Sequence, residues 1–167
     1  RVILGNRPKP EDLALPYVQI QDDARYALAY LSASFQRFPA RKLRMIGVTG
    51  TDGKTTTSML IHHLLTKSGI PTGMISTVNA LIGSQTLDTG FHVTTPESPD
   101  IQAYLAQMVA AGMTHCVLET TSHGLAQGRG IACDYDLAVV TNVTHEHLDY
   151  HGSYENYLQT KVKLFEM

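Results

Sequence analysis

The fold is decided by the stretch Met45-Ile-Gly-Val-Thr-Gly-Thr-Asp-Gly-Lys-Thr-Thr-Thr57. Its apolar start is typical of a strand buried on both faces, which leads into a glycine-rich turn and then into a helix. Gly50 and Gly53 allow a tight turn whose backbone N–H groups can approach an anion. The N-terminus of the following helix, with its positive dipole end, points to the same place. The stretch therefore predicts a cradle for phosphate groups.

The polar residues at the exit of this turn indicate a nucleoside triphosphate. Lys54 supplies a point charge for the terminal phosphates, and the hydroxyl of Thr55 can ligate magnesium. The usual pattern G-x-x-x-x-G-K-[ST] is not met, because Val48 stands where its first glycine belongs. The alternative is a turn whose glycines serve only the backbone, but such a turn does not require Gly-Lys-Thr-Thr-Thr at its exit.

The composition of the chain restricts its class. Its 167 residues, of which 43% are hydrophobic, suffice for one domain with a sizeable core. The net charge of −2 and the lack of a basic run exclude a nucleic-acid footprint. Cys116 and Cys133 lie in apolar surroundings and predict buried, reduced thiols of a cytoplasmic protein. The sequence contains no run of 18 apolar residues, so it does not predict a membrane-spanning helix. Because the first residue is Arg1, we expect a piece of something longer.

Strands and helices alternate from residue 43 onward. Apolar runs predict strands at 43–49, 72–77, 114–119 and 136–141, and Gly83-Ser84 allows a hairpin within 78–89. Helices are expected after the loop, after Ser98-Pro99-Asp100 with Ser98 as the cap, and over 153–167. The pattern predicts an α/β fold: a mostly parallel sheet with helices on both faces, forming an incomplete P-loop type nucleotide-binding domain.

Two details of the helices are also predicted. The helix after the loop places its apolar residues on one side, and these are Leu60, Ile61, Leu64 and Leu65. Residues 1–40 differ in character: a short strand is expected at 15–20, and Asp22 or Asp23 can cap a helix over 23–34. Residues 38–42 are expected to be a linker.

Polar clusters follow two of the strands, where ligands bind in open parallel sheets. Glu119 begins the first cluster, and His145, His147 and His151 belong to the second. The carboxylate and the imidazoles can meet near the phosphates. Glu119 can instead cap a helix, and the histidines can face solvent or form a zinc site. Beside a phosphate cradle, magnesium is favoured over zinc.

Four motifs in this order and spacing resemble the Mur ligase family. They are Gly50-Thr-Asp-Gly-Lys-Thr55, Thr94-Thr-Pro96, Glu119-Thr-Thr-Ser-His-Gly-Leu125 and Asn142-Val-Thr-His-Glu-His-Leu-Asp-Tyr-His-Gly152. The resemblance covers residues 41–167 and implies the central ATP-binding domain of that family, truncated at its C-terminal side. Residues 1–40 resemble the end of the N-terminal UDP-substrate domain and its linker.

The resemblance implies a role for each matching residue. It assigns ATP to Gly50, Thr51, Asp52, Gly53, Lys54, Thr55, Thr56 and Asn142. It assigns magnesium to Thr55, Glu119, His147 and Lys161, and the catalytic positions to Lys54, Glu119, His147 and Lys161. It assigns the muramoyl-peptide substrate to Thr94, Thr95, Thr121, Ser122 and Arg129.

Lys161 is a special case among these residues. Without the resemblance, its position predicts only a solvated lysine on a helix. The resemblance implies a carbamylated lysine, since an ammonium cannot ligate a cation but a carbamate oxygen can. In this chain the last helix is expected to fray, which exposes Lys161 to water and leaves it unmodified.

The function implied by the resemblance is ATP-dependent amide-bond formation in peptidoglycan synthesis, through an acyl phosphate. ATP and Mg²⁺ are the implied cofactors, and UDP-N-acetylmuramoyl-dipeptide and an amino acid are the partners of a cytoplasmic monomer. The chain alone is expected to be inactive. Three alternatives remain. The first is another Mur-type ligase, such as a relative of folylpolyglutamate synthetase, the second is a P-loop kinase or phosphatase, and the third is a non-catalytic nucleotide-binding module. The full-length sequence would distinguish a ligase from a non-catalytic nucleotide-binding module, because only the ligase is expected to have a domain that binds the amino acid.

Some positions depart from the family's usual residues. Asp52 replaces the commoner Asn and adds a negative charge near the phosphates. Val93 stands where many relatives have Asn, and Thr120-Thr121 replaces the commoner Val-Ser. His145-Glu146 replaces the commoner Arg-Asp, which removes a fixed positive charge.

Overall fold

The computed structural model describes residues 2–21, 23–89 and 95–167. The strands are β1 Ile3–Gly5, β2 Tyr17–Gln19, β3 Arg44–Thr49, β4 Thr72–Ile75, β5 Asn79–Ile82, β6 Gln85–Asp88, β7 His115–Glu119 and β8 Leu137–Val140. The helices are α1 Ala24–Phe35, α2 Lys54–Lys67, α3 Ser98–Ala110, α4 Ser122–Ala126, α5 Leu148–His151 and α6 Tyr154–Val162, with 3-10 turns at Pro39–Lys42 and Lys163–Phe165.

A six-stranded sheet in the order β6-β5-β4-β7-β3-β8 forms the centre of the fold. The neighbours β4, β7, β3 and β8 run parallel, whereas β5 and β6 are antiparallel additions at one edge. The turn between β5 and β6 contains Gly83, which has φ 59°. The predicted mostly parallel sheet and the predicted hairpin are both confirmed. The first two strands form a separate parallel pair.

Successive residues of the central strands point to opposite faces of the sheet, and each face is covered by helices. On one face Met45, Cys116 and Leu118 pack with Ile101 and Leu105 of α3. The other face is covered by α2, and its residues are Ile46, Val48, Met74 and Val117, packed against Ile61 and Leu65. The predicted helices on both faces are therefore confirmed, and the carboxyl ends of β3 and β7 meet at one edge.

The predicted apolar side of α2 is only half correct. Ile61 and Leu65, four residues apart, pack on the sheet. Leu60 and Leu64 lie one position earlier in each turn and are 59% and 60% exposed. The helix rests on a single row of side chains, so the predicted stripe was too wide.

The start of α3 also differs from the prediction. Glu97 is its N-cap residue, Ser98 is already helical, and no side chain caps the helix amides. The Ser98 hydroxyl instead donates to the carbonyl oxygen of Arg129 at 2.9 Å. At α1 the predicted cap is Asp23, whose carboxylate accepts from the amide of Arg25, while Asp22 lies outside the described residues.

The prediction of one helix over 153–167 is correct at its start and wrong at its end, because α6 ends at Val162. Gly152, with φ 78°, separates α5 from α6, and the Ser153 hydroxyl caps α6 by accepting from the amide of Asn156. After Val162 the chain tightens into a 3-10 turn that buries Leu164 beside Gly47 of β3. The end of the chain is therefore packed against the sheet.

The N-terminal helix and the cysteines complete the packing. Ala29 and Ala33 of α1 are buried with Ala132.

Cys116 and Cys133 are buried free thiols, and burial raises the pKa of both, that of Cys133 to about 12. Across the described ranges, none of the helices combines the length and apolar character that a membrane crossing requires.

Candidate active site

The loop between β3 and α2 depends on two glycines in unusual backbone conformations. Gly50 has φ 152° and Gly53 has φ 77°. A Cβ atom at Gly50 would overlap the hydroxyl of Thr141, so only glycine fits there. The sequence thus forms the predicted tight turn, with the segment after β8 packed directly against it.

Asn142 fixes this loop by hydrogen bonds to the backbone of two loop residues. Its carbonyl oxygen accepts from the amide of Thr51 at 2.9 Å, and its side-chain oxygen accepts from the amide of Asp52 at 3.0 Å. Its side-chain amide donates to the Asp52 carbonyl at 3.2 Å. The loop therefore has a fixed shape, and the Thr51 and Asp52 amides are already engaged in it.

Thr51 connects the loop to the C-terminal helix. Its hydroxyl lies 2.9 Å from the hydroxyl of Tyr157 and accepts from the amide of Thr144 at 2.9 Å. The residue is buried. Its side chain therefore links the loop to α6 by a hydrogen bond.

The start of α2 is open to an anion. Among the described residues no side chain caps this helix, so the amides of its first turn, which belong to Lys54, Thr55 and Thr56, can bind a ligand. The Lys54 ammonium bends back over the loop and donates to the carbonyl oxygens of Gly50 at 3.0 Å and Thr51 at 2.7 Å. The predicted phosphate cradle thus has its donors in place, with Lys54 folded onto the loop.

Thr55 and Glu119 meet as the sequence predicted. The Thr55 hydroxyl donates to both carboxylate oxygens of Glu119, at 3.1 and 2.9 Å, and the Thr77 amide donates at 3.2 Å. Glu119 is 1% exposed, and within the described ranges no lysine, arginine or histidine forms a salt bridge with it. A buried carboxylate beside a hydroxyl, with no cation of its own, fits magnesium. Glu119 does not cap α4, whose cap is Thr121.

Lys161 is buried, and the expectation of a frayed, water-exposed lysine is wrong. It is 2% exposed, and its ammonium donates to the Gly50 carbonyl at 2.7 Å and lies 4.5 Å from the centre of the Tyr157 ring. Burial, and then the nearby charge of Lys54, lower its pKa to about 8. A neutral amine is therefore accessible near neutral pH.

A cavity of about 300 Å³ lies between these groups. The proposed site residues along its wall are Gly50, Lys54, Thr121, Ser122, His147 and Lys161, joined by His123, Glu146 and Tyr157. The loop, the segment after β7 and the C-terminal helices thus contribute to one space, as expected from the meeting of strand ends.

Of the three histidines of the second polar cluster, His147 and His151 both pack near His123, and His145 packs elsewhere. His145 stacks on Tyr154 and His151 packs near Tyr157, with ring centres 4.8 and 5.3 Å apart. His147 faces the cavity and packs edge-on against His123 at 4.9 Å. No three metal-ligating side chains converge in the described part of the chain, so the zinc alternative finds no support. Burial lowers the pKa of His123 and of His151.

Two of the residues predicted to contact the substrate, Thr121 and Ser122, lie on the cavity wall, and Thr95 is buried next to Thr121. The hydroxyls of Thr95 and Thr121 lie 3.0 Å apart, and the Thr121 hydroxyl also accepts from the amide of Gly124. Ser122 is buried beside them. Thr94 and Val93 lie outside the described residues.

Arg129 is tied to this wall by contacts that the sequence did not predict. It forms a salt bridge with Glu97 at 2.8 Å, donates to the side chain of Gln127 at 2.9 and 2.7 Å, and donates to the carbonyl of Thr95. The Arg129 side chain is 11% exposed. Gln127 precedes Arg129 by two positions, which is a detectable spacing, but no sequence signal links Glu97 to either residue.

Comparison with known proteins identifies the family of this chain. Residues 48–167 match the Mur ligase middle domain. UDP-N-acetylmuramyl-tripeptide synthetase of Deinococcus radiodurans is 47% identical over 153 residues, which are 91% of this chain and 31% of that protein. UDP-N-acetylmuramoyl-L-alanyl-D-glutamate--2,6-diaminopimelate ligase of Geobacillus kaustophilus is 43% identical over 163 residues, 98% of this chain and 32% of that protein. The chain thus spans about a third of the length of these curated relatives.

Solved structures agree on the fold. A UDP-N-acetylmuramoyl-L-alanyl-D-glutamate--2,6-diaminopimelate ligase is similar with a TM-score of 0.81 at 30% identity, covering 98% of this chain and 32% of that one. E. coli FolC in complex with DHPP and ADP reaches a TM-score of 0.58 at 20% identity, covering 78% and 38%. The second likeness concerns the fold alone. With the family match extending over most of the sequence, the chain belongs to the Mur ligase family.

Proposed function

We propose that the protein containing this chain is an ATP-dependent ligase that adds the third amino acid to UDP-N-acetylmuramoyl-L-alanyl-D-glutamate. It acts through an acyl phosphate, as a cytoplasmic monomer in peptidoglycan synthesis, and residues 41–167 belong to its central ATP-binding domain. Residues 1–40 are then the end of the N-terminal substrate domain and its linker. The observation that carries the proposal is one cavity lined by Gly50 and Lys54 of the loop and by Lys161 of α6. The Thr55–Glu119 pair lies next to it, since Thr55 follows Lys54 in α2. The names of the relatives support the substrate.

In the proposed reaction the nucleophile comes from the substrate. An oxygen of its terminal carboxylate bonds to the γ-phosphorus of ATP while the bond from that phosphorus to the β–γ bridging oxygen breaks, and ADP leaves. The amine of the amino acid then attacks the acyl carbon, the C–O bond breaks, and phosphate departs as the amine loses a proton. No nucleophile of the chain is needed in either step.

The chain's contribution is binding and charge. The first-turn amides of α2 and the Lys54 ammonium hold the phosphates once Lys54 leaves the Gly50 and Thr51 carbonyls. Asn142 keeps the loop in shape through its two bonds with Asp52. These fixed donors offset the negative charge that accumulates when a carboxylate approaches a triphosphate.

Magnesium would be held by oxygen donors that are already adjacent. Thr55 and Glu119 provide a hydroxyl and a buried carboxylate, and His147 lies on the cavity wall. Lys161 as an ammonium is a donor and cannot ligate a cation, but its carbamate can. When bound, the metal neutralises phosphate charge.

The muramoyl-peptide is proposed to contact five residues, which are Thr94, Thr95, Thr121, Ser122 and Arg129. Arginine suits its carboxylate or pyrophosphate, since the planar guanidinium can donate two parallel hydrogen bonds. Thr121 and Ser122 line the cavity that also contains Lys54. That proximity brings the substrate's carboxylate towards the phosphates.

The test is a product assay with the protein as the cell makes it. ADP release should require UDP-N-acetylmuramoyl-L-alanyl-D-glutamate and an amino acid together, and mass spectrometry should detect the tripeptide product. A panel of amino acids, including 2,6-diaminopimelate, identifies the third residue. ATP turnover that ignores the muramoyl-peptide, or that requires a folate substrate instead, would contradict the proposal.

A further inference from the structure

The acid at the start of α3 does not serve its own helix. Glu97 occupies the N-cap position, where a side chain often accepts from helix amides, but its carboxylate makes no such bond. It lies instead 2.8 Å from Nη2 of Arg129. The side chain is therefore directed towards the wall of the site.

Arg129 is restrained on every edge of its guanidinium. Nε and Nη2 donate to the side-chain oxygen of Gln127, Nη2 also pairs with Glu97, and Nη1 donates to the Thr95 carbonyl. In the described ranges, Nε, Nη1 and Nη2 all donate hydrogen bonds, and the contact with Glu97 adds an ion pair. Nη1 is the nitrogen nearest Thr95, whose hydroxyl contacts Thr121 on the cavity wall.

We propose that Glu97 is a positioning residue for Arg129, whose guanidinium it holds in the orientation that meets an anionic group of the muramoyl-peptide. This inference rests on the proposed function and adds a residue to it. A guanidinium that is 11% exposed needs a charged partner when no substrate is present. A group already fixed in its binding orientation also loses less freedom when the substrate arrives.

The pair is not needed to hold the two segments together. The Ser98 hydroxyl donates to the Arg129 carbonyl at 2.9 Å, and the Thr121 amide donates to the Thr95 hydroxyl at 3.1 Å. Both contacts remain when the Glu97 carboxylate is neutralised. A variant at Glu97 is therefore expected to fold, which makes its kinetics informative.

The experiment compares Glu97→Gln, Glu97→Asp and Asp100→Asn in the protein as the cell makes it. Asp100 lies in the first turn of the same helix and forms no salt bridge within the described ranges, so it controls for the loss of a negative charge at that helix end. Glu97→Gln should raise KM for UDP-N-acetylmuramoyl-L-alanyl-D-glutamate about fivefold, the upper range for a partly exposed ion pair. KM for ATP, kcat and Tm should match those of Asp100→Asn, and Glu97→Asp should recover part of the loss.

A second arm places Glu97→Gln in an Arg129→Ala background. If Glu97 acts through Arg129, the added substitution leaves KM for the muramoyl-peptide unchanged there. An unchanged KM in the single variant, an equal rise for ATP and muramoyl-peptide, or the same rise without Arg129 overturns the inference while the proposed function stands. A wild-type protein that does not turn over the muramoyl-peptide refutes the proposed function itself, and the positioning role with it.

Discussion

The phosphate loop, residues 50–57, and the helix α6 each direct a lysine at the same carbonyl oxygen. Lys54 reaches Gly50 from four residues away, whereas Lys161 reaches it from the far end of the chain, and the two N–O distances are 3.0 and 2.7 Å. Lys54 lies at an open helix N-terminus, whereas burial, and then the charge of Lys54, lower the pKa of Lys161 to about 8. Lys54 is thus placed to bind phosphate, and Lys161 can become a neutral amine.

The contrast shows how two chemical roles arise from one residue type. In the loop, adjacent residues create the site, because the glycines and the start of α2 are contiguous in sequence. In α6 the role exists only after the helix docks, since Tyr157 and the Gly50 carbonyl surround Lys161 from elsewhere in the fold. Substitutions at the two lysines should therefore fail in different ways.

The largest expected effect is at Lys54. Lys54→Ala should weaken ATP binding by about 30-fold or more, because truncating one partner of a charged hydrogen bond costs about 2–5 kcal/mol. Calorimetry on the intact protein measures the affinity. Lys67→Ala, at the other end of α2, is the control and should bind ATP normally. An unchanged affinity in Lys54→Ala would remove the loop from the nucleotide site.

The second effect separates Lys161 from Lys54. Lys161→Ala should lower turnover by about 100-fold or more, because loss of a metal ligand should cost at least as much as loss of a residue that orients one, about 10–100-fold. Added bicarbonate or short carboxylates should restore part of the turnover. Lys54→Ala should not be rescued by these anions. Lys163→Ala, two residues later, should keep its activity. Full activity in Lys161→Ala contradicts the metal role, and loss without rescue leaves the carbamate unsupported.

The third substitution is at Arg129, which, like Lys161, is positioned by contacts with residues distant in sequence. Arg129→Ala should raise KM for the muramoyl-peptide by about 30-fold, the lower end for a truncated charged contact, and should change KM for ATP much less. Arg41→Ala, which removes a surface pair with Asp134, is the control. Equal changes for both substrates would indicate that Arg129 supports the structure alone.

The smallest effect is the pH dependence of stability at Lys161. Its pKa is about 8 in the folded chain against 10.5 ordinarily. Below pH 8 the folded state bears the full cost of burying the ammonium, at most about 3 kcal/mol. Between pH 8 and 10.5 the unfolded state binds more protons, so stability rises with pH.

The variant that reveals this dependence is Lys161→Met, which has no charge to bury. Without nucleotide, metal or carbon dioxide it should be the more stable protein at pH 7, and its advantage over the wild type should shrink as the pH rises towards 10. Chemical denaturation at several pH values gives the difference. A difference that does not vary with pH would mean that Lys161 is not buried as an ammonium.

The same contrast explains how far the sequence could predict the structure. The strands, the hairpin and the loop follow from local patterns, since apolar runs and glycines act on their own neighbours. The cap of α3 was mispredicted because the Ser98 hydroxyl has a partner in another segment, the Arg129 carbonyl. The burial of Lys161 was mispredicted because the 3-10 turn that follows α6 packs Leu164 on the sheet instead of fraying. Contacts between distant segments leave no periodic signal.

The most direct test of the proposed chemistry follows an oxygen atom. The muramoyl-dipeptide is prepared with ¹⁸O in its reacting carboxylate and turned over with ATP and the amino acid, and the released phosphate is examined by ³¹P NMR or mass spectrometry. If the carboxylate attacks the γ-phosphorus and an acyl phosphate forms, each phosphate carries one ¹⁸O from the substrate. Phosphate without label would show that the amide forms by another route and would contradict the proposed mechanism.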